Sequence, residues 1–186
     1  MRKLVIAVIL SGFISSYAGQ EEKVVEIGET ASKELLKTLK TELVKALSKS
    51  PYEAIDVCHK KALILTHEVE KKLDHGIKIK RTSFKYRNPK NKPDKYEQQA
   101  LKYFEEMFKK GKNPSYYIQK VENGYRYYKP LKVKAVCLTC HGDPKLMDKR
   151  LYEKIKKYYP NDKAVGYKEG DFRGVIRVFI PKDALK

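Results

Sequence analysis

The segment Cys137-Leu138-Thr139-Cys140-His141 carries the residues best suited to chemistry. Two cysteines three positions apart, followed at once by a histidine, form the pattern of covalent haem attachment. Two thiols at this spacing reach the two vinyl groups on one edge of a porphyrin, and the next side chain falls beneath the ring. We therefore predict one covalently attached haem c, with thioether bonds to Cys137 and Cys140 and with His141 as an axial ligand of the iron.

Two other kinds of site stay open on the motif alone. A zinc ion would use both motif cysteines, Cys58 and one histidine, although the adjacent Cys140 and His141 are awkward ligands for one tetrahedral ion. A redox dithiol normally lies at a helix N-terminus after a buried strand, and it does not require the histidine. A disulfide across the two-residue gap would be strained and would leave Cys58 unpaired. Haem c is the interpretation that the pattern favours.

The second axial position has several candidate ligands, and Cys58 is the one whose presence most needs an explanation. The chain has three cysteines, and an odd number is unusual in an exported protein, which is the class that the N-terminus predicts below. At roughly 100° per residue along a helix, Cys58 falls on an apolar stripe with Ala54 and Ala62 one turn either side, whereas His67 lies on the opposite face. This geometry fits either a buried free thiol or a ligand. The candidates are Cys58, His59, His67, His75, Met107 and Met147.

The N-terminus predicts export. The stretch MRKLVIAVILSGFISSYAG has two cations, an apolar run from Leu4 to Ile14, and small residues with a plausible cleavage site at Ser16-Tyr17-Ala18. The apolar run is shorter than the ~20 residues needed to span a bilayer. We predict a signal peptide over residues 1–18 and a periplasmic protein with no stable membrane span after cleavage. The alternative is a protein tethered to the membrane by an uncleaved N-terminal segment.

The composition indicates a single globular domain with a basic surface. The chain has 186 residues, 41% of them hydrophobic, and a formal net charge of +18. The lysines are spread along the whole sequence and no nucleic-acid-binding motif accompanies them, which argues against a nucleic-acid partner. A surface of this charge favours docking to an acidic redox partner protein.

The periodicity of the sequence predicts an α+β fold. It has long N-terminal helices followed by an antiparallel sheet with helical insertions. Helices are expected over 27–48, from Pro51 to about Leu73, over 96–108 and over 146–159. Strands are expected in GIKIKRTSF, on either side of a hairpin turn at Asn123-Gly124, and in the terminal GVIRVFIP.

Four segments in order resemble the Tll-like haem-binding family: EAIDVCHKKA, RTSFKYRNPKNKPDKYE, CLTCHGD and GDFRGVIRVFIP. The resemblance covers roughly Leu35 to Pro181. Members of that family are small exported c-type haem domains with a PAS-like fold, and some related domains form the sensory part of bacterial receptors. The resemblance implies a single PAS-like haem domain over 19–186, with His141 and Cys58 as the two axial ligands.

The loop after the first predicted strand supplies candidate partners for the haem propionates. They are Arg81, Tyr86, Arg87 and Asn88. Arginine suits this role because its planar guanidinium binds carboxylates in a bidentate manner.

Imidazole on one side and thiolate on the other would fill the iron's coordination shell, and a filled shell argues against an enzyme that activates oxygen. Thiolate ligation should also lower the reduction potential. We expect a redox protein in electron transfer or a redox-responsive haem protein. The alternative is a haem-based redox or gas sensor that binds a small gas in the reduced state and signals through a separate partner.

Overall fold

A computed structural model of the chain describes residues 11–73 and 75–186, with side chains from residue 19 onward. Its N-terminal part is helical: α1 spans Ser11–Leu47, α2 spans Pro51–Asp56 and α3 spans Ala62–Lys72. A π-helical turn, Val57–Lys61, joins α2 to α3 without a break. Residues 1–10 of the predicted signal peptide lie outside the described residues, and the remainder of that segment belongs to α1.

The second half of the chain builds a four-stranded antiparallel sheet of order β1-β4-β3-β2. The predicted α+β class, with long N-terminal helices and helical insertions in one domain, is confirmed. The strands are β1 (Lys78–Thr82), β2 (Tyr117–Val121), β3 (Gly124–Lys132) and β4 (Phe172–Pro181). The insertions are α4 (Lys95–Lys109) between β1 and β2, and α5 (Leu138–His141) and α6 (Lys149–Tyr158) between β3 and β4.

Both faces of the sheet are covered by helices. Successive side chains of a strand point to opposite faces, so Ile176 and Val178 pack with Leu35 of α1. Val175 packs on the other face with Phe104 of α4. The buried strand predicted from GVIRVFIP is therefore confirmed as β4. None of the helices in the described part of the chain combines the length and hydropathy needed to cross a bilayer.

The β2–β3 turn differs by one residue from the prediction. Val121 pairs with Gly124, so the two-residue loop is Glu122-Asn123, and Gly124 is the first residue of β3. Gly124 has a φ of 153°, and a Cβ there would overlap the carbonyl oxygen of Ile180. The glycine is therefore required by the close approach of β4 and not by the turn, which is why the Asn-Gly pattern misplaced the loop.

The last helix also begins later than predicted. The apolar pattern suggested a helix from Leu146, but α6 begins at Lys149 with Asp148 as its N-cap. The Asp148 carboxylate accepts a hydrogen bond of 2.8 Å from the Leu151 backbone N–H. At the start of α2 the predicted cap is confirmed, because the Ser50 hydroxyl accepts from the Glu53 N–H at 3.1 Å.

At Gly28, α1 packs closely against the sheet. A Cβ at this position would overlap the ring of Tyr127, which is fully buried. The ring cannot move easily because its hydroxyl donates a hydrogen bond to Glu29. Overpacking a core costs about 1–3 kcal/mol, and the better helix propensity of alanine offsets about 1 kcal/mol of that cost.

We expect Gly28→Ala to lower the free energy of unfolding by about 2 kcal/mol, because the added Cβ would overlap three ring carbons of Tyr127 and the cost lies at the upper end of this range. The measurement is urea unfolding, where the midpoint falls while the m-value stays constant. Thr30→Ala is the matched control, since Thr30 is an exposed residue of the same helix, and its effect should stay within about 0.5 kcal/mol. Equal stability of the two variants would contradict the close packing at Gly28.

Candidate functional site

A cavity of about 220 Å³ lies where β1 and β4 meet the segment that follows β3. The residues that line it come from the π-helical turn, the loop after β1, the cysteine–histidine motif and the start of β4. Seven of the eight predicted site residues line it: Cys58, Arg81, Tyr86, Arg87, Asn88, Cys137 and His141. The fold therefore brings together residues that are far apart in the sequence.

Cys58 reaches the cavity from the π-helical turn. The defining hydrogen bond runs from the Ala62 N–H to the carbonyl of Val57, five residues back. Such turns are rare and occur frequently at functional sites. The turn also breaks the 100° spacing between α2 and α3 on which the predicted apolar stripe depends. Within α2 itself, Ala54 packs toward α1, while Ile55 packs against α6 beside Cys58.

The environment of the Cys58 thiol combines burial with positive charge. Burial raises the pKa of Cys58, and the nearby guanidinium groups of Arg81, Arg87 and Arg173 act in the opposite direction. The thiol is therefore protonated at neutral pH when nothing binds it. A bound metal ion deprotonates a coordinating thiol, and the three arginines would stabilise the resulting thiolate.

The three histidine candidates for the second axial position lie away from the cavity. The His59 ring is exposed and stacks on Tyr158 with 4.2 Å between ring centroids. The His67 side chain is exposed, with its Nδ1 atom 3.2 Å from a carboxylate oxygen of Glu70. His75 is exposed at the end of the helix with a φ of 49°.

The two methionine candidates do not line the cavity either. Met107 is half-buried on α4, and Met147 packs at the edge of the apolar cluster that contains Leu151. Of the six candidate ligands, all within the described residues, Cys58 is the one that lines the cavity together with His141.

The motif folds as a short 3-10 turn, Ala135–Cys137, followed by α5. Cys137 lines the cavity, and its Sγ atom accepts a hydrogen bond of 3.4 Å from the Lys134 backbone N–H. Cys140 instead packs beside Leu151 and Ile155 of α6, and burial raises its pKa to about 11. All three cysteines are free thiols. The two motif thiols therefore lie in different surroundings.

The His141 ring is held in one tautomer. Its Nδ1 atom lies 2.6 Å from the carbonyl oxygen of Ala164. A carbonyl only accepts hydrogen bonds, so Nδ1 carries the proton and Nε2 keeps its lone pair. Burial lowers the pKa of His141 well below its ordinary value, and Arg87 and Arg173 lower it further. The ring is therefore neutral, which is the form that binds a metal ion.

Three arginines give the cavity an excess of positive charge. Arg87 is paired with Asp162, with 2.9 Å between Nη2 and a carboxylate oxygen. Arg173 donates to the Lys85 carbonyl at 3.2 Å. The Arg81 backbone pairs with β4, but its guanidinium makes no hydrogen bond or ion pair within the described ranges, and burial lowers its pKa. A half-buried guanidinium without a hydrogen-bonding partner fits a cavity that takes an anionic ligand.

Tyr86 and Asn88, the other two candidate partners of the propionates, also line the cavity, and their side chains contact nearby protein groups. The Asn88 side chain accepts a hydrogen bond of 3.0 Å from the Lys90 N–H and caps a short 3-10 turn. The Tyr86 ring lies 4.9 Å from the Lys163 ammonium, measured to the ring centroid. Both residues therefore help to hold the loop in shape.

Several residues of the site were not identified from the sequence. Arg173 lies in the segment GDFRGVIRVFIP, where the strand pattern gives no sign that its side chain lines a cavity. Tyr159 lines the cavity, and its hydroxyl lies 3.4 Å from the Cys58 carbonyl oxygen. Asp162 and Ala164 belong to the loop NDKAVGY, which has neither periodicity nor a motif that would have revealed them.

The comparison with protein-family models matches residues 14–181 to the Tll0287-like family. The chain belongs to the Tll0287-like family. The family resemblance found in the sequence is thereby confirmed. Among solved structures, the chain is similar to the crystal structure of the cyanobacterial heme-protein Tll0287, with 24% sequence identity and a TM-score of 0.61. The match covers 88% of this chain and 95% of that one, and it shows a shared fold. A comparison with curated proteins finds no match.

In this Tll0287-like protein the alternative zinc site does not assemble. Within residues 11–73 and 75–186, no group of three or more His, Cys, Asp or Glu side chains is arranged to hold a metal ion. Cys58, Cys137 and His141 instead surround an open cavity, in which Cys58 and His141 offer one sulfur and one nitrogen ligand. This donor set fits a flat metal-containing group placed between them better than a bare ion.

Proposed function

We propose that this protein binds one haem c covalently, through Cys137 and Cys140, and serves as an exported electron-transfer protein. The observation that carries the proposal is that Cys58, Cys137 and His141 line one cavity. The similarity of fold to a structure described as a heme-protein supports it. Within this proposal His141 and Cys58 are the two axial ligands of the iron.

The two ligands would together set the properties of the redox centre. The haem, when bound, supplies a one-electron ferric/ferrous couple. His141 offers a neutral imidazole whose orientation is fixed by the hydrogen bond to Ala164. Cys58 offers a thiolate, which donates electron density and favours the ferric form. We therefore expect a low reduction potential.

Arg81 is the residue best placed to bind a propionate. It lines the cavity without another partner among the described residues, and a carboxylate would supply the missing counter-charge. Arg173 lines the same cavity and adds positive charge. Tyr86 and Asn88 would contribute polar contacts, while Arg87 is already engaged with Asp162.

The formal charge of +18 supports an acidic protein as the redox partner, because complementary charge speeds encounter. The signal-peptide pattern at the N-terminus supports export to the periplasm, where haem c is attached. We propose a carrier and not an enzyme, since two strong protein ligands would leave no open position on the iron for a substrate.

The test is expression together with a haem c maturation system, followed by denaturation and mass spectrometry. We expect the mass of the denatured chain to rise by one haem, and the visible spectrum of a c-type haem to remain with the protein. A denatured chain of unmodified mass, with the haem released into solvent, would overturn the proposal of covalent attachment.

A redox or gas sensor is the second candidate function. The observation in its favour is the π-helical turn that carries Cys58, since such turns occur frequently at functional sites. Reduction would weaken the bond from the thiolate and free the sixth position for a small gas. Rapid binding of carbon monoxide to the reduced wild-type protein would favour the sensor, and slow binding would favour the carrier.

A further inference from the structure

The Arg87 side chain connects the cysteine–histidine motif to the loop before β4. It is only 8% exposed. Its Nη2 atom donates to the Cys140 carbonyl at 2.6 Å and to the Ala164 carbonyl at 3.3 Å. Its Nε atom donates to an Asp162 carboxylate oxygen at 3.1 Å. One guanidinium therefore contacts the residue before His141 and the residue whose carbonyl binds the His141 ring.

The Ala164 peptide group is fixed on both sides. Its N–H donates to Asp162 at 2.9 Å, and its carbonyl accepts from both Arg87 and the Nδ1 atom of His141. The same loop is bound to the motif backbone, because the Gly166 N–H donates to the Gly142 carbonyl at 2.8 Å. The orientation of the imidazole therefore depends on a loop that Arg87 and Asp162 hold in place.

We propose that Arg87 is a positioning residue that locks the orientation and tautomer of His141 through the carbonyl of Ala164. This inference rests on the proposed haem binding and assigns Arg87 a role other than contact with a propionate. Partners of a ligating histidine orient the ring and set its donor strength. A second donor on the Ala164 carbonyl leaves that oxygen a weaker acceptor for the His141 proton, and the ring is then less electron-rich.

The contacts of Arg87 distinguish it from Arg81. The Nε and Nη2 atoms of Arg87 are engaged with protein oxygens, whereas Arg81 has no such partner among the described residues. The Arg87–Asp162 pair is also deeply buried, with 8% and 1% of the two side chains exposed. A deeply buried ion pair whose members are also hydrogen-bonded to the backbone fixes geometry better than a surface ion pair does.

The test compares Arg87→Gln, Arg87→Lys and Asp162→Asn in the haem-loaded protein. The two readouts are the reduction potential and the exchange rate of the His141 Nδ1 proton in the hyperfine-shifted proton NMR spectrum. Arg87→Gln should favour the ferric form about tenfold, equivalent to about 59 mV for one electron. Removal of a buried negative charge in Asp162→Asn should shift the potential in the opposite direction. Both variants should nevertheless speed exchange of the Nδ1 proton at least tenfold, because both release the loop.

Arg126→Gln is the matched control, since Arg126 is half-buried, pairs with Asp94 at 2.7 Å and does not line the cavity. It should change neither readout. Arg87→Lys keeps the charge but loses the pair of donor nitrogens, Nε and Nη2, that hold the loop. The Nδ1 proton of His141 should therefore exchange as fast in Arg87→Lys as in Arg87→Gln. Wild-type exchange in either Arg87 variant, or opposite changes of exchange in Arg87→Gln and Asp162→Asn, would overturn the positioning role. If Arg87→Gln does not mature, Asp162→Asn alone decides by the same exchange measurement. A wild-type protein without covalent haem would overturn the proposed function and this inference together.

Discussion

Replacing Cys58 with serine is expected to convert the haem from a low-potential, six-coordinate centre to one with an open or weakly filled sixth position. A thiolate donates more electron density to the iron than a serine hydroxyl does. Its loss should therefore raise the reduction potential by on the order of 100 mV or more. The reduced variant should also bind carbon monoxide readily. Redox titration and carbon monoxide binding, followed by visible absorption, measure the two effects.

The neighbouring residue provides the control for this substitution. His59 follows Cys58 in the π-helical turn, but its exposed ring stacks on Tyr158. His59→Ala should therefore leave both the potential and the spectrum of the haem unchanged. An unchanged spectrum in Cys58→Ser combined with an altered one in His59→Ala would assign the sixth position to the histidine instead.

Replacing both Cys137 and Cys140 with alanine is expected to abolish covalent attachment completely. Each thioether forms from one thiol and one vinyl group of the haem, so no bond can form when both thiols are absent. Each single variant should keep one bond and one remaining vinyl group, which shifts the visible absorption maximum. Mass spectrometry of the denatured proteins distinguishes the covalent from the non-covalent forms.

Cys58→Ala serves as the control for attachment, because it also removes a cysteine that lines the cavity. It should retain a full equivalent of covalent haem. The two single variants should also differ in how they mature. Cys137 already lines the cavity, whereas Cys140 is packed beside Leu151 and must turn to reach the haem edge. Covalent haem in the double alanine variant would contradict the assignment of these two thiols.

The local parts of this site could be predicted from sequence. The pattern Cys137-Leu138-Thr139-Cys140-His141 could be recognised because covalent haem attachment requires two thiols and a histidine at fixed spacing, and five consecutive residues supply all three. Cys58 could be singled out because an unpaired thiol would need an explanation if the protein is exported, as the N-terminal pattern predicts. The strand β4 could be predicted because burial on both faces favours a run of mainly apolar residues, which only Arg177 interrupts between Val175 and Ile180.

The parts that could not be predicted depend on contacts between distant segments. The π-helical turn has no known marker in the sequence here, and a helical wheel assumes that no such turn is present. Ala164 acts through its carbonyl, which every residue possesses, so its identity carried no signal. Gly124 was assigned to a turn because the passage of β4 across its Cα became evident only in the folded chain. In each case a tertiary contact decided what the local pattern left open.

The electron paramagnetic resonance spectrum of the matured, ferric wild-type protein tests the central claim most directly. Ligation by Cys58 and His141 predicts a low-spin ferric haem with the compressed range of g values that a thiolate–imidazole pair produces, and this signal should be absent from Cys58→Ser. A high-spin spectrum, or a low-spin spectrum with the wide g range of two imidazole ligands that persists in Cys58→Ser, would contradict the account.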